Sequence, residues 1–176
     1  MKDNEETVVL VDENDREVGT AEKLEAHVSG ALHRAFSVFV LNGRGELLLQ
    51  RRAAGKYHCG GLWTNTCCGH PRPGEPVAAA ARRRLNEEMG IDCELSPAGT
   101  FVYRAEVGGG LVEHEYDHVF LARHEDDPSP DPAEADAWRW ADVETLIADA
   151  EASPAEFTPW FALALRELAQ ATGAPA

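Results

Sequence analysis

The sequence predicts a single α/β domain in which helices pack on a mixed β-sheet. The 176 residues are the length of one domain, and 44% hydrophobic with 27% charged residues is an ordinary globular composition. Segments typical of strands alternate with segments typical of helices, and we find no internal repeat or second core. We therefore expect one domain over residues 1–176, with its core at about 7–165.

The first half of the chain predicts two strand pairs and a helix. Residues 7–23 suggest a strand, a polar turn and a return strand, and residues 33–52 form the clearest hairpin, around an Asn-Gly-Arg-Gly turn. Residues 53–65 contain three glycines and predict a loop. A helix is expected from Pro76, a residue favoured at the first helical position, to Gly90, a residue favoured just past a helix end.

The second half predicts a further strand pair, a surface loop, one more strand and two closing helices. Three consecutive glycines join the strand pair, and the surface loop is acidic and rich in proline. We place these elements at about 91–103 and 111–122, then 124–136, 137–142, 142–151 and about 158–171.

The charge of the chain excludes some classes of partner. Sixteen Lys and Arg against 31 Asp and Glu give a net charge of −15, which argues against binding to nucleic acid or to an anionic membrane. The charge is uneven, because residues 44–84 hold eight basic and only two acidic side chains. This basic region suggests a site for a small anion, although solvated surface arginines would give the same count.

Other features favour a soluble cytoplasmic protein with reduced thiols. No apolar run approaches the roughly 20 residues that span a bilayer, and the acidic N-terminus lacks a signal peptide. Four cysteines are too few for a disulfide scaffold in a chain of this size. No exposed apolar stripe requires a partner, so we expect a monomer.

The most specific motif begins at Gly69. Five residues separate Gly69 from Glu75, seven separate Glu75 from Arg83, and the sequence then runs RRLNEEMGI to residue 91. This resembles the Nudix box, G-x5-E-x7-R-E-U-x-E-E-x-G-U with U aliphatic, at every fixed position except Arg84, where that pattern has glutamate. An amphipathic helix held by ion pairs would explain the helix but not the register of the glycines and Glu75.

The spacing within the motif has a chemical consequence. Residues four apart share one face of a helix, so Glu88 lies one turn beyond Arg84. A carboxylate there can hold Mg²⁺, and an arginine on the same face can bind a phosphate bidentately. Arginine at position 84 thus removes one possible metal ligand and adds a phosphate ligand.

The surroundings of the box resemble a narrower family. The start of the box overlaps the sequence TNTCCGHP. Three further segments are distinctive: FVYRAE at 101–106, EHE at 113–115 and FTPW at 157–160. Over about residues 7–165 the chain resembles type 1 isopentenyl-diphosphate Δ-isomerase of the Nudix superfamily. The resemblance implies a Nudix-like fold and interconversion of isopentenyl and dimethylallyl diphosphate by protonation and deprotonation of an alkene.

The resemblance also implies roles for particular residues. Cys68 and Glu115 would exchange protons with the substrate, and Tyr103 would assist Glu115. Glu88 would bind the Mg²⁺ that the diphosphate brings. Trp160 would stack over the carbocation. The diphosphate would be bound by Lys23, Arg52, Lys56 and Arg84.

A metal site is expected around the EHE sequence. Glu113 and Glu115 are two apart, so on a strand they point the same way. With His70 they form a credible site, and by resemblance His27 and His33 complete it. Nitrogen and oxygen ligation suits Mn²⁺, Zn²⁺ or Fe²⁺, and we expect Mn²⁺ or Zn²⁺. His58, His118 and His124 are interpreted as surface histidines.

Three alternatives remain open on the sequence. The first is a Nudix hydrolase of a nucleoside diphosphate derivative, and the second is a non-catalytic binding domain. The third is a structural zinc site, which lacks the usual CxxC pair. Its candidate ligands would be His58, Cys59, Cys67, Cys68 and His70.

Overall fold

The computed structural model describes residues 6–173, and it confirms the predicted class, a mixed sheet flanked by four helices. In chain order the strands are β1 (Thr7–Val11), β2 (Glu17–Glu22), β3 (His33–Leu41), β4 (Glu46–Arg52), β5 (Trp63–Thr64), β6 (Cys67–Gly69), β7 (Ser96–Gly108), β8 (Leu111–Arg123) and β9 (Ala135–Asp142). The helices are α1 (Lys23–Ser29), α2 (Val77–Met89), α3 (Val143–Ala152) and α4 (Phe161–Thr172). None of these helices is long and apolar enough to cross a bilayer.

Strands β3 and β4 lie between two helical layers. Val38 and its neighbours on the same face pack with Leu85 of α2, whereas Phe39 on the other face packs with Phe161 of α4. Most of β3 and the three consecutive leucines of β4 are hydrophobic, as expected for segments that are buried on both faces. The sheet is mixed because β3 runs parallel to β8 and antiparallel to β1, β4 and β6.

The predicted hairpin over 33–52 is only partly paired. Its two strands meet at Leu41 and Leu47 and then separate, because residues 64–67 insert between them. Thr66 fills the gap: its hydroxyl accepts from Val40 N at 2.9 Å and donates to Leu48 O at 2.6 Å. This insertion carries the short strand β6 into the centre of the fold.

Other elements differ from the sequence prediction in position. Helix α1 was not predicted, since the return strand ends at Glu22 and the chain turns directly into the helix. The predicted loop over 53–65 ends in β5, and β7 occupies Ser96–Gly108 rather than 91–103. The stop of α2 at Gly90 is confirmed: its φ is +69°, and a Cβ there would lie 2.8 Å from Ser129 O.

The acidic segment 124–136 crosses the C-terminal end of α2. Two of its backbone amides donate to the last carbonyls of that helix, Ser129 N to Met89 O and Asp131 N to Glu88 O, each at 2.9 Å. These bonds satisfy acceptors that a helix end leaves without partners. Most side chains of the segment are exposed.

Candidate active site

The predicted site residues converge on one cleft. Eleven of the thirteen side chains expected in the site line this cleft. The other two, His27 and His33, are fully buried, and their rings lie against that of His70. The cleft is lined by Lys23, Arg52, Lys56, Cys68, His70, Arg84, Glu88, Tyr103, Glu113, Glu115 and Trp160, among others.

Three histidines and two glutamates form a compact cluster. One ligand atom from each of the five lies within 4.8 Å of all the others. Pairing of β3 with β8 sets His33 beside Glu115, and β8 presents both carboxylates on one face. The members of the cluster are His27, His33, His70, Glu113 and Glu115.

The cluster fits a divalent metal ion. His27 Nε2 and Glu113 Oε2 are buried and have no hydrogen-bond partner among the described residues. Buried polar atoms without partners are costly, and a metal ion would satisfy both. The imidazole and carboxylate donors also match the ligands expected for Mn²⁺ or Zn²⁺.

Electrostatics favour an ionised carboxylate at Glu115. Burial alone would raise its pKa, but hydrogen bonds with Glu113, His33 and Tyr103 outweigh burial and lower the pKa to about 2. Burial likewise opposes protonation of His33, and its bond with Glu115 raises the pKa above the usual range. Burial and the neighbouring His33 lower the pKa of His70, which favours the neutral imidazole that a metal requires.

Cross-strand pairing supplies Glu115 with a further partner. Tyr103 of β7 lies directly opposite Glu115, and its hydroxyl donates to Oε2 at 2.7 Å. The other oxygen, Oε1, is 2.8 Å from His70 Nε2. One carboxylate oxygen therefore belongs to the metal cluster, and the other to a tyrosine that lines the cleft.

Cationic side chains form another wall of the cleft. The Arg52 guanidinium lies 5.7 Å from the ring centre of Trp160. Arg84 binds Glu88 Oε1 at 2.7 Å on α2. Glu134, at the end of the acidic segment, bridges Lys56 at 2.6 Å and Arg84 at 3.3 Å.

The Nudix-like box divides into a structural and a cleft-facing part. Glu75 and Arg83 form a bidentate ion pair of 2.8 and 2.9 Å, and Glu75 also accepts from Arg72 N. This pair fastens the loop before α2 to the helix. Glu88, one helical turn beyond Arg84, belongs to the cleft-facing part. It is buried, and its Oε2 accepts a hydrogen bond from Gln50 Nε2 at 2.9 Å.

Sequence reasoning missed several residues in and around the cleft, among them His58 and Glu134. The interpretation of His58 as a surface histidine is wrong: it is 7% exposed, and its Nε2 lies 2.8 Å from Glu113 Oε1. Burial and the nearby Arg52 lower its pKa. Glu134 was placed only within an acidic loop, and no motif distinguishes it from its acidic neighbours. His118, by contrast, is half-buried and pairs with Asp15.

The geometry argues against the structural zinc site considered as an alternative. The cluster of possible metal ligands in the described part of the chain contains only His70 of the five residues considered for it. Cys67 lies in the core beneath α2, whereas Cys68 faces the cleft, so the two thiols point apart.

The chain is similar to a known domain family and to named relatives. The NUDIX domain family matches residues 31–161. The chain is 56% identical over 161 residues to isopentenyl-diphosphate Delta-isomerase 2 of Aromatoleum aromaticum, covering 92% of this chain and 85% of that protein. It is 54% identical to the isopentenyl-diphosphate Delta-isomerase of Burkholderia multivorans, covering 89% of each.

Solved structures with low sequence identity share the fold. The DR0079 protein of Deinococcus radiodurans is similar with a TM-score of 0.75 at 21% identity, over 93% of this chain and 99% of that one. A MutT protein of Methanosarcina mazei Go1 has a TM-score of 0.67 at 18% identity, over 80% of this chain and 95% of that one. At these identities the likeness concerns the fold alone.

Proposed function

Since this chain belongs to the isopentenyl-diphosphate Delta-isomerase family and its core is a NUDIX domain, we propose that its cleft interconverts isopentenyl and dimethylallyl diphosphate. The observation that carries the proposal is that Cys68, the Tyr103–Glu115 pair and a set of cations line the same cleft. Isomerisation requires an acid, a base and stabilisation of a carbocation: Cys68 and Glu115 supply the first two and the ring of Trp160 the third, while the cations bind the diphosphate.

Cys68 and Glu115 handle the protons. In one direction a proton is added to the terminal carbon of the alkene, giving a species that resembles a tertiary carbocation. Loss of a proton from the neighbouring CH₂ then forms the new double bond. One of the two residues donates and the other accepts, and the reverse reaction exchanges these roles. Burial raises the pKa of the Cys68 thiol, which keeps a proton on sulfur until transfer.

The walls of the cleft bind the two ends of the substrate. Lys23, Lys56 and Arg84 bind the diphosphate, for which two-pronged guanidinium contacts are well suited. Trp160 faces the carbocation, and a cation–π contact there contributes about 2 kcal/mol when water is excluded. Arg52, which is packed against Trp160, contributes a further positive charge on the diphosphate side.

Two metal sites complete the proposal. The five-residue cluster described above would hold Mn²⁺ or Zn²⁺, which keeps Glu115 ionised and fixed in place. Glu88 would hold the Mg²⁺ that accompanies the diphosphate. Around these ions the protein's own task is positional: Tyr103 orients one oxygen of Glu115, and Gln50 orients Glu88.

The hydrolase alternative is disfavoured by the identity of residue 84. Arginine stands there where the box has glutamate, so one carboxylate ligand is missing from α2. Hydrolysis by several metal ions needs a fuller set of carboxylate ligands. We further propose a monomeric enzyme acting on a small-molecule diphosphate. Its four free thiols support a location in the reducing cytoplasm.

The decisive experiment is an NMR time course of isopentenyl diphosphate in D₂O with the purified protein, Mg²⁺ and Mn²⁺. We expect dimethylallyl diphosphate that carries deuterium, because the added proton comes from exchangeable groups. A Cys68→Ala sample prepared in parallel should show no conversion. Phosphate release without isomerisation would replace the proposal with the hydrolase, and an unchanged substrate would refute it.

Removal of metal tests the second part of the proposal. Dialysis against a chelator should abolish conversion, and Mg²⁺ together with Mn²⁺ should restore it. Mg²⁺ alone should restore less activity, because it favours all-oxygen coordination and the cluster supplies imidazoles. Full activity in excess chelator would contradict a role for either ion.

A further inference from the structure

Two adjacent residues of the loop between β4 and β5 contact two different members of the metal cluster. The Tyr57 hydroxyl lies 3.2 Å from His27 Nδ1, and His58 Nε2 lies 2.8 Å from Glu113 Oε1. Each contact engages one polar atom of its cluster residue. The remaining polar atoms of those side chains, His27 Nε2 and Glu113 Oε2, are among the buried atoms that have no hydrogen-bond partner in the described part of the chain.

This pairing selects a chemical form for each cluster residue. If the lone pair of His27 Nε2 is to bind a metal, the ring proton must sit on Nδ1, where the Tyr57 oxygen can accept it. A proton on His58 Nε2 donates to Glu113 Oε1 and leaves Oε2 available. Hydrogen bonds of this kind orient the residues that bind a metal and tune their basicity.

The loop backbone is shaped to hold this dipeptide. Cys59, the next residue, has a backbone φ of +52°, which is uncommon for residues other than glycine. A Cβ at Gly60 would lie 2.8 Å from Ala54 O, so the loop folds tightly upon itself there. Such strain persists only where the surrounding structure requires it, and often marks a functional site.

We propose that Tyr57 and His58 are positioning residues that set the tautomer of His27 and the orientation of Glu113 for metal binding. The inference rests on the proposed function, because it assumes that the five-residue cluster holds a metal. It adds two residues that no sequence motif indicated. It also predicts that neither residue binds the metal directly.

Binding of Mn²⁺ to the metal-depleted protein, without diphosphate, tests this inference. Free Mn²⁺ is measured by electron paramagnetic resonance for the wild type and for Tyr57→Phe, His58→Ala and His58→Gln. We expect Mn²⁺ affinity to fall about 10- to 100-fold in His58→Ala and about 10-fold in Tyr57→Phe. His58→Gln should regain part of the affinity, since its amide can donate to Glu113.

Control variants separate this inference from the proposed metal site. Tyr116→Phe alters a tyrosine on the opposite face of β8, and His124→Gln a histidine outside the cleft; both should bind Mn²⁺ as the wild type does. His27→Ala should lose binding. If His27→Ala binds normally, the metal site and this inference both fail. If it loses binding while the Tyr57 and His58 variants match the wild type, only this inference is overturned.

Spectroscopy of bound Mn²⁺ distinguishes positioning from direct binding. Spin-echo modulation counts the imidazole nitrogens on the ion, and thermal melts of the metal-depleted variants report on folding. We expect the same imidazole count in the wild type and in His58→Gln, with melting temperatures unchanged. Loss of one imidazole in His58→Gln would make His58 a ligand and refute the positioning role.

Discussion

Cys67 and Cys68 are neighbours in the chain but lie in opposite environments. Cys67 is fully buried in the core that packs against α2, and Cys68 lines the cleft on the other face of β6. Pairing of β6 with β3 sets Cys68 beside Ser37 and Cys67 beside Val38. Alternation along the strand thus gives two identical side chains different surroundings, and only the Cys68 thiol faces the cleft.

Replacement of each cysteine by alanine should separate activity from stability. Cys68→Ala should lower kcat at least about 1,000-fold, because a proton-transfer group is lost, and leave the fold intact. Cys67→Ala should keep kcat and cost about 1 kcal/mol of unfolding free energy, because it leaves a small cavity. Isomerase assays and urea denaturation of both variants provide the measurement. An active Cys68→Ala enzyme would refute the assignment of the thiol.

Tyr103→Phe should act on catalysis without removing the metal. It deletes the hydroxyl that donates to Glu115 Oε2 and leaves the Oε1 side, where His70 lies, unchanged. We expect kcat to fall about 100-fold, because the Glu115 carboxylate loses the donor that orients it for proton transfer. Steady-state formation of dimethylallyl diphosphate and metal analysis test this, with Tyr116→Phe as control. Equal loss of metal and activity would instead indicate a structural role.

Thr66→Val tests the insertion that separates β3 from β4. The substitution keeps the shape of the side chain but leaves Val40 N and Leu48 O without their partner. We expect a loss of about 3 kcal/mol in unfolding free energy, because buried polar groups without partners are costly. Urea denaturation measures the loss, and Thr20→Val on exposed strand β2 serves as the control. Similar losses in both variants would show that the Thr66 bonds contribute little.

The Glu75–Arg83 pair should give a stability that depends on pH. The hydrogen bond from Arg83 lowers the pKa of Glu75 from its ordinary 4.5. A carboxylate with a lowered pKa stabilises the folded state above its unfolded pKa, and this contribution is lost as pH falls through the folded value. Glu75→Gln should therefore destabilise the protein at neutral pH, and this penalty should shrink progressively as pH falls below the ordinary pKa of 4.5.

Urea midpoints at several pH values measure this difference. The exposed Glu17→Gln on β2 is the matched control and should show little change at any pH. A Glu75→Gln penalty that stays constant from neutral to acid conditions would contradict an ionic contribution.

The sequence predicts most of the architecture because its turns and hydrophobic runs are local signals. The stop of α2 at Gly90 and the alternation of Glu113 and Glu115 on β8 both follow from short patterns, and the structure agrees with them. Helix α1 was not predicted, because its seven residues are too few to show a clear helical period. The separation of strands β3 and β4 was not predicted either, because it depends on Thr66, whose hydrogen-bond partners lie far away in the chain.

The parts of the cleft that the sequence did not predict are those that act through another side chain. His58 touches Glu113, and Glu134 touches Lys56 and Arg84. Neither belongs to a spaced motif, since each contact joins segments whose proximity exists only in the folded chain. The residues that line the cleft could be grouped by resemblance, whereas their supporting contacts required the structure.

The parallel pairing of β3 with β8 has a consequence for the order in which the protein matures. A growing chain that has emerged through α2 already contains His27, His33 and His70, yet it lacks the strand that carries both glutamates. Contacts between distant segments form late, because closing long loops costs entropy before the contacts compensate for it. The complete set of five donors can therefore exist only once β8 has docked, so the proposed metal site depends on a late contact between distant segments.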